Sequence, residues 1–179
     1  GGGTVHVPVD SLAFNAYVSG GKIRAKSSTV IGMDHLEGET IVGLLDGSYA
    51  AGLTVSGGSV TLPYAASRVH LGMPYYTDIE TLDAEPLKGT ILDKKKKISD
   101  VTVRFNKSRG MLIGPDSDNL VEAKQRQFEA YGVPTRLLTG TLEVKLNPSW
   151  NKRGRVFIRQ PYPLPMEITS IAPNMEIGD

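Results

Sequence analysis

Apolar and polar residues alternate with a period of two through much of the chain. In Lys22-Ile23-Arg24-Ala25-Lys26 the charges alternate with small or apolar residues, as on a strand with one wet face. Val101, Val103 and Phe105 point one way, and Asp100, Thr102 and Arg104 the other. Leu142, Val144 and Leu146 alternate with Thr141, Glu143 and Lys145. The same holds for Val156 and Ile158 between Arg155, Phe157 and Arg159, and for Met166 and Ile168 beside Glu167 and Thr169. Repetition of one period in separate segments predicts a mainly β protein.

Turn chemistry agrees. Asp46-Gly47 closes the apolar run Ile41 to Leu45, and Ser56-Gly57-Gly58-Ser59 separates Leu53-Thr54-Val55 from Val60-Thr61-Leu62. Ser19-Gly20-Gly21 likewise stands between Phe14 to Val18 and the strand at Lys22. These spacings predict a small β-barrel or meander, followed by a β-sandwich-like part. One stretch departs from the pattern. Asp118 to Gly132 carries capping residues, helix formers and a closing Gly, so at most one short helix is expected, at about 119–131. Asp83-Ala84-Glu85-Pro86-Leu87-Lys88-Gly89 is the candidate boundary. The expected organisation is residues 1–29 as an N-terminal extension or strand pair, 30–85 as a small β domain, and 90–179 as a second β part or more of the same domain.

Composition narrows the function. The 179 residues suffice for one domain or two small ones. Twenty Gly and eleven Pro lie between short apolar runs, where they punctuate folded structure. Lys plus Arg number 20 against 19 Asp plus Glu, so the chain lacks the overall charge of a protein built to grip nucleic acid. With no Cys there are no disulfides, thiolate metal sites or cysteine nucleophiles. No apolar run reaches the length of a membrane span. The opening Gly1-Gly2-Gly3 without an initiator Met suggests a processed piece or fragment.

Motifs for chemistry are weak. Gly20-Gly21-Lys22 has Ile23 where a P-loop needs Ser or Thr. Ser19 to Lys22 and Ser149 to Lys152 match S-x-x-K only by spacing, the first in a Gly turn and the second after Pro148. Asp34, His35, Glu37 and Glu39 cluster like a carboxylate–imidazole site, but also like a polar turn feeding the strand at Thr40. Asp116-Ser117-Asp118-Asn119 begins like a calcium loop, yet Val121 and Gln127 occupy the required Gly and Glu places. Asn106-Lys107-Ser108 is a glycosylation sequon by spelling. Lys94-Lys95-Lys96-Lys97 is the one strong local charge. It reads as a phosphate-binding patch or, preferably, as a solvated strand edge guarded against stray pairing. No catalytic, cofactor or metal residues are therefore assigned, and the expectation is a protein that is not an enzyme.

Four stretches in order carry a resemblance. They are Met33-Asp34-His35-Leu36-Glu37-Gly38-Glu39-Thr40-Ile41-Val42 closing at Asp46-Gly47, then Val60-Thr61-Leu62-Pro63 through Ser67-Arg68-Val69-His70-Leu71-Gly72-Met73-Pro74-Tyr75. Gly89-Thr90 with the lysines and Ile98 to Arg104 follow. Last come Leu138-Thr139-Gly140, Arg155-Val156 and Gln160-Pro161-Tyr162-Pro163-Leu164-Pro165-Met166 to Ala172-Pro173. Their order resembles the C-terminal region of phage and prophage virion proteins related to the tail tubular B, or nozzle, proteins of short-tailed phages. The resemblance implies a structural role in the virion, with assembly in the host cytoplasm and no catalytic residues. It also implies other tail proteins and ring-forming copies of the same chain as partners, with DNA passing without specific binding. An isolated fragment with partial ring contacts is expected to be monomeric. The rival expectation is a host-recognition or glycan-binding module at a tail tip, with Tyr75, Tyr76, Trp150 and Tyr162 as its platform.

Overall fold

A computed structural model describes residues 15–19, 22–85, 91, 93–125, 136–147 and 149–178. The described residues form thirteen strands and a single 3-10 turn, Asp34–Leu36, so the protein is mainly β. The chain divides into two compact units, Gly1–Met73 and Pro74–Asp179.

The first unit holds two three-stranded antiparallel sheets. One joins β1 (Asn15–Ser19), β2 (Lys22–Ile31) and β5 (Ser59–Ala66); the other joins β4 (Ser48–Thr54), β3 (Thr40–Leu45) and β6 (Val69–Gly72). Ser19 faces Lys22 where β1 pairs with β2, so this S-x-x-K spacing belongs to an antiparallel strand pair. Asp46 and Gly47 take φ of 50° and 90°, the left-handed pair that a two-residue hairpin needs between Leu45 and Ser48. Gly57 and Gly58 make a similar turn closed by reciprocal Ser56–Ser59 bonds of 2.8 and 3.2 Å. Beyond it the strands part company, β4 staying on β3 and β5 crossing to β2. Ile41, Leu45, Leu53, Val55, Val60 and Leu62 form the shared core.

Two carboxylates tie this unit together. Asp46 accepts hydrogen bonds from the Ser67 hydroxyl (2.8 Å) and amide (3.1 Å) and from the Arg68 amide (2.8 Å), with Lys26 at 3.9 Å. Partial burial pushes its pKa up, but these donors, the Ser67 hydroxyl foremost, outweigh it and leave the carboxyl below its ordinary value. Glu37 is also lowered, by the amides of Gly58 (2.8 Å) and Gly57 (2.9 Å). A depressed carboxylate stabilises the folded state above its unfolded pKa, and that contribution is lost as pH falls through the folded value. Thermal unfolding of the D46N/E37Q double variant should therefore show a flatter dependence on pH below about 4 than the parent chain does. Parallel acid profiles for the two proteins would contradict this.

The second unit is a β-sandwich-like pair of antiparallel sheets. The order β10 (Val121–Glu122), β9 (Leu112–Gly114), β12 (Phe157–Gln160), β7 (Thr77–Glu80) makes one sheet. β11 (Leu138–Lys145), β8 (Lys96–Ser108) and β13 (Glu167–Ile177) make the other, with the long β8 in the middle. Val101, Val103, Phe105, Val144 and Leu146 from the second sheet share a core with Met111, Ile113, Val156 and Ile158 from around the first. The alternations read along Val101 to Phe105, Leu142 to Leu146 and Val156 to Ile158 thus place these side chains inward.

The expected boundary needs correction. The boundary does not fall at Asp83–Gly89, because β7 pairs with β12, Ala84 N donates to Arg153 O (3.1 Å) and Arg155 pairs with Glu80 and Asp83. Pairing across the sheet carries these residues into the second unit. At most one short helix is expected at about 119–131, and the described part of that stretch is extended. Val121, Ala123 and Gln125 turn inward while Glu122 and Lys124 are exposed, a period of two, and Ala123 N donates to Met111 O (3.0 Å). The remainder, residues 126–131, lies outside the described residues.

Candidate functional site

The middle of the β11–β8–β13 sheet carries a groove of about 350 Å³, open to solvent on its outer side. Two bulges build it. On one side Asn106 and Lys107 of β8 stand opposite Thr139 alone, since Leu138 faces Ser108 and Gly140 faces Phe105. Lys107 adopts a left-handed φ of 42° there. On the other side Thr169 is the extra residue, with Ile168 facing Phe105 and Ser170 facing Arg104. That insertion lets Ile168 and Ile171 both reach the core and leaves Thr169 and Ser170 exposed. Bulges re-aim side chains, and here both act at one level of the sheet.

The polar groups around the groove are held in place. Lys107 N donates to Thr139 Oγ1 (3.0 Å), Thr139 Oγ1 donates to Asn106 Oδ1 (2.9 Å), and Asn106 Nδ2 donates to Glu167 Oε2 (2.8 Å). Glu167 N donates to the fully buried Ser108 hydroxyl (2.7 Å), anchoring this chain of bonds to the interior. Thr169 Oγ1 donates to Arg104 O (3.2 Å). The exposed guanidinium of Arg104 completes the lining, and among the described residues no carboxylate forms an ion pair with it. The arrangement offers a carboxylate and hydroxyls fixed by these bonds, with the exposed fork of Arg104 N–H donors beside them. Asn106 and Ser108, first noticed as a sequon, act here as members of this network.

The remaining sequence candidates are scattered. Lys94 to Lys97 do not form a solvated edge. Lys96 is fully buried in β8 between β13 and Asn151, and its Nζ donates to Lys152 O (2.9 Å). Lys97 pairs with Glu176 (3.3 Å) and lies over the Trp150 ring (5.7 Å), while Lys95 is exposed. The run sits inside the sheet because β13 pairs alongside it, so its charges diverge. The aromatic candidates also have separate neighbours. Tyr76 stacks on Arg159 (4.5 Å), Trp150 packs against Gly178, and Tyr162 against Gly110.

Asp116 Oδ1 accepts from the amides of Asp118 (3.0 Å) and Asn119 (2.9 Å), an Asx turn in place of a calcium loop. Of the acidic cluster, Asp34 lies against Gly58 and Glu37 holds the Gly57-Gly58 amides. Among the described residues no three His, Asp or Glu side chains gather to hold a metal. Ser149 and Lys152 lie in a loop around Asn151, whose Oδ1 accepts from the amides of Arg153 and Gly154.

A second polar surface lies on the β7–β12 pair. Arg159 forms a forked pair with Asp78 (2.7 and 2.8 Å) and contacts both Tyr76 and Phe157. Its hydrogen bonds to Asp78 raise the Arg159 pKa, and Arg159 lowers that of Asp78. Along the same segment Tyr75, Tyr76 and Leu82 are exposed, Leu82 to 88% of its surface, and Ile79 is on the other face of the strand, opposite Ile158. No protein-family model matches the chain, and no curated protein matches it.

Proposed function

We propose that this chain is a structural part of a phage or prophage tail, related to the tube or nozzle and working through assembly contacts, without catalysis. The observation that carries this reading is the segment Tyr75 to Leu82. It leaves Tyr75, Tyr76 and Leu82 in solvent, with Tyr76 lying over Arg159. Exposed apolar side chains following one another along a segment favour a protein contact, and Tyr with Arg is the pairing such contacts favour. The ordered resemblance to nozzle-related virion proteins supplies the kind of assembly, a ring with other tail proteins above and below. The Lys94–Lys97 run supports passage of DNA without a grip, since Lys96 is buried and Lys97 is paired with Glu176.

An antibody against this chain tests the proposal on particles induced from a strain that encodes it. Immunogold label at one end of the tail is expected, with purified chain alone remaining monomeric in light scattering. Ring contacts that these residues supply only in part bury too little surface for stable association, which takes roughly 1,200 Å². Unlabelled particles in a strain that makes the chain abundantly would sink the tail assignment. A tight oligomer would place the ring contacts within these residues.

A further inference from the structure

We propose that the groove across β11, β8 and β13 is a carbohydrate-binding subsite for an acidic sugar residue. Its Arg104 guanidinium takes the sugar carboxylate, and Glu167, Thr141 and Thr169 take the hydroxyls. A guanidinium presents a planar fork of donors that fits a carboxylate in two parallel hydrogen bonds, and this one has no acidic partner among the described residues.

The other lining groups favour hydroxyls. A sugar hydroxyl both donates and accepts, so it suits a surface that mixes a carboxylate with Thr hydroxyls. Glu167 Oε2 is held by Asn106 Nδ2 at 2.8 Å, which fixes the carboxylate and leaves Oε1 to receive a ligand hydroxyl. Thr169 spends its proton on Arg104 O at 3.2 Å, so its oxygen remains able to accept. Thr139 is a positioning residue. Its hydroxyl accepts from Lys107 N and donates to Asn106, and so transmits the bulge geometry to the amide that holds Glu167. Thr methyl groups and the Arg104 stem supply apolar surface for a ring face.

Size and shape agree. About 350 Å³ lies at the low end for small-ligand sites, and a trough open on one side admits one unit of a longer chain. A peptide adding to this sheet would use the exposed hydrogen-bonding edge of β11 or β13, not the outer face of the central strand. Both bulges fall at the level of the groove, and such irregularities gather beside binding sites. Bound sugar orders no new segment, so the cost of binding is small and weak, millimolar affinity multiplied by many copies would suffice.

The test is a titration of the isotope-labelled chain followed by two-dimensional amide NMR. The probes are trigalacturonic acid, a neutral galactose trisaccharide and triglutamate. Saturable shifts are expected with trigalacturonic acid, confined to the amides of Arg104 to Lys107, Thr139 to Thr141 and Glu167 to Ser170. Arg104→Gln should weaken binding at least about tenfold, the loss expected for a charge-assisted fork. Arg104→Lys should fall between, because it keeps the charge and loses the fork. Glu167→Gln should weaken binding severalfold and gives a second reading should Arg104→Gln disturb the fold. Absence of saturable shifts, shifts centred elsewhere, or unchanged affinity in both Arg104→Gln and Glu167→Gln would overturn the proposal. So would equal binding of triglutamate, which would mean that the groove takes any carboxylate and not a sugar.

Discussion

Replacing Lys96 with Ala will destabilise the second unit by about 2–4 kcal/mol, the cost of truncating a buried side chain of similar length. Lys96 has no solvent exposure. Its stem packs against Gly154, since a Cβ on Gly154 would stand 2.9 Å from Lys96 Cδ and 3.2 Å from Lys96 Cβ. Its Nζ donates to Lys152 O at 2.9 Å and so caps the loop that returns the chain into β12. Alanine removes the filling and leaves that carbonyl without its donor. Lys96→Met keeps most of the volume and loses only the hydrogen bond, so it should cost about 1–2 kcal/mol. Lys95→Gln, at an exposed position, should change stability by less than about 0.5 kcal/mol. Urea unfolding of the three variants reads the order directly. Three equal and small losses would show that the buried amine contributes nothing.

The second large effect is expected at Gly114. A Cβ there would run into the backbone oxygen of Asn119, and backbone cannot step aside as a flexible side chain can. Asp116 fixes that oxygen, because its Oδ1 accepts from the Asp118 and Asn119 amides and from Asn119 Nδ2 at 2.8 Å. On the other flank Gly114 faces Phe157 in the β9–β12 ladder, so the strand cannot retreat either. Gly114→Ala should cost about 2–4 kcal/mol through overpacking and lower Tm by roughly 10–20 °C. Gly140→Ala is the matched control. Nothing lies within 4 Å of its added Cβ, so it should be neutral or slightly stabilising. Similar Tm values for the two would refute the steric account.

Much of the fold was legible because a strand with one buried face writes itself as alternation. Val101, Val103 and Phe105 on β8 and Val144 with Leu146 on and just beyond β11 are the cleanest cases. The Asp46-Gly47 hairpin was legible for a local reason, the left-handed backbone that those residues accept. What failed was decided by partners distant in sequence. Four consecutive lysines look solvated until Asn151, Lys152 and Gly154, some fifty residues later, close over one of them. Gln125 hid the inward face of Val121-Ala123-Gln125 because a polar residue breaks the apolar count. It is buried, with Gly110 N donating to its Oε1 at 2.8 Å. The groove left only a faint trace. Ile168 and Ile171 are separated by two polar residues where alternation allows one, which is how an inserted bulge residue appears in a string of letters. Its other half, Thr139 opposite Asn106 and Lys107, has no such mark.

The placement of β8 bears on how the protein is made. In the first unit each sheet begins with a hairpin, β1 with β2 and β3 with β4, so pairing can start between residues already close along the chain. The central strand of the second unit has no such neighbour. Val103 must wait for Leu142 on one side and for Ile171 on the other. Closing loops of that size before any contact repays the entropy is slow, and it sets a late commitment point in folding. During synthesis the first unit can settle while β8 is still an unpaired apolar strand, held open until β13 leaves the ribosome. That interval, more than the finished surface, is when this chain is most exposed to aggregation and most dependent on chaperones.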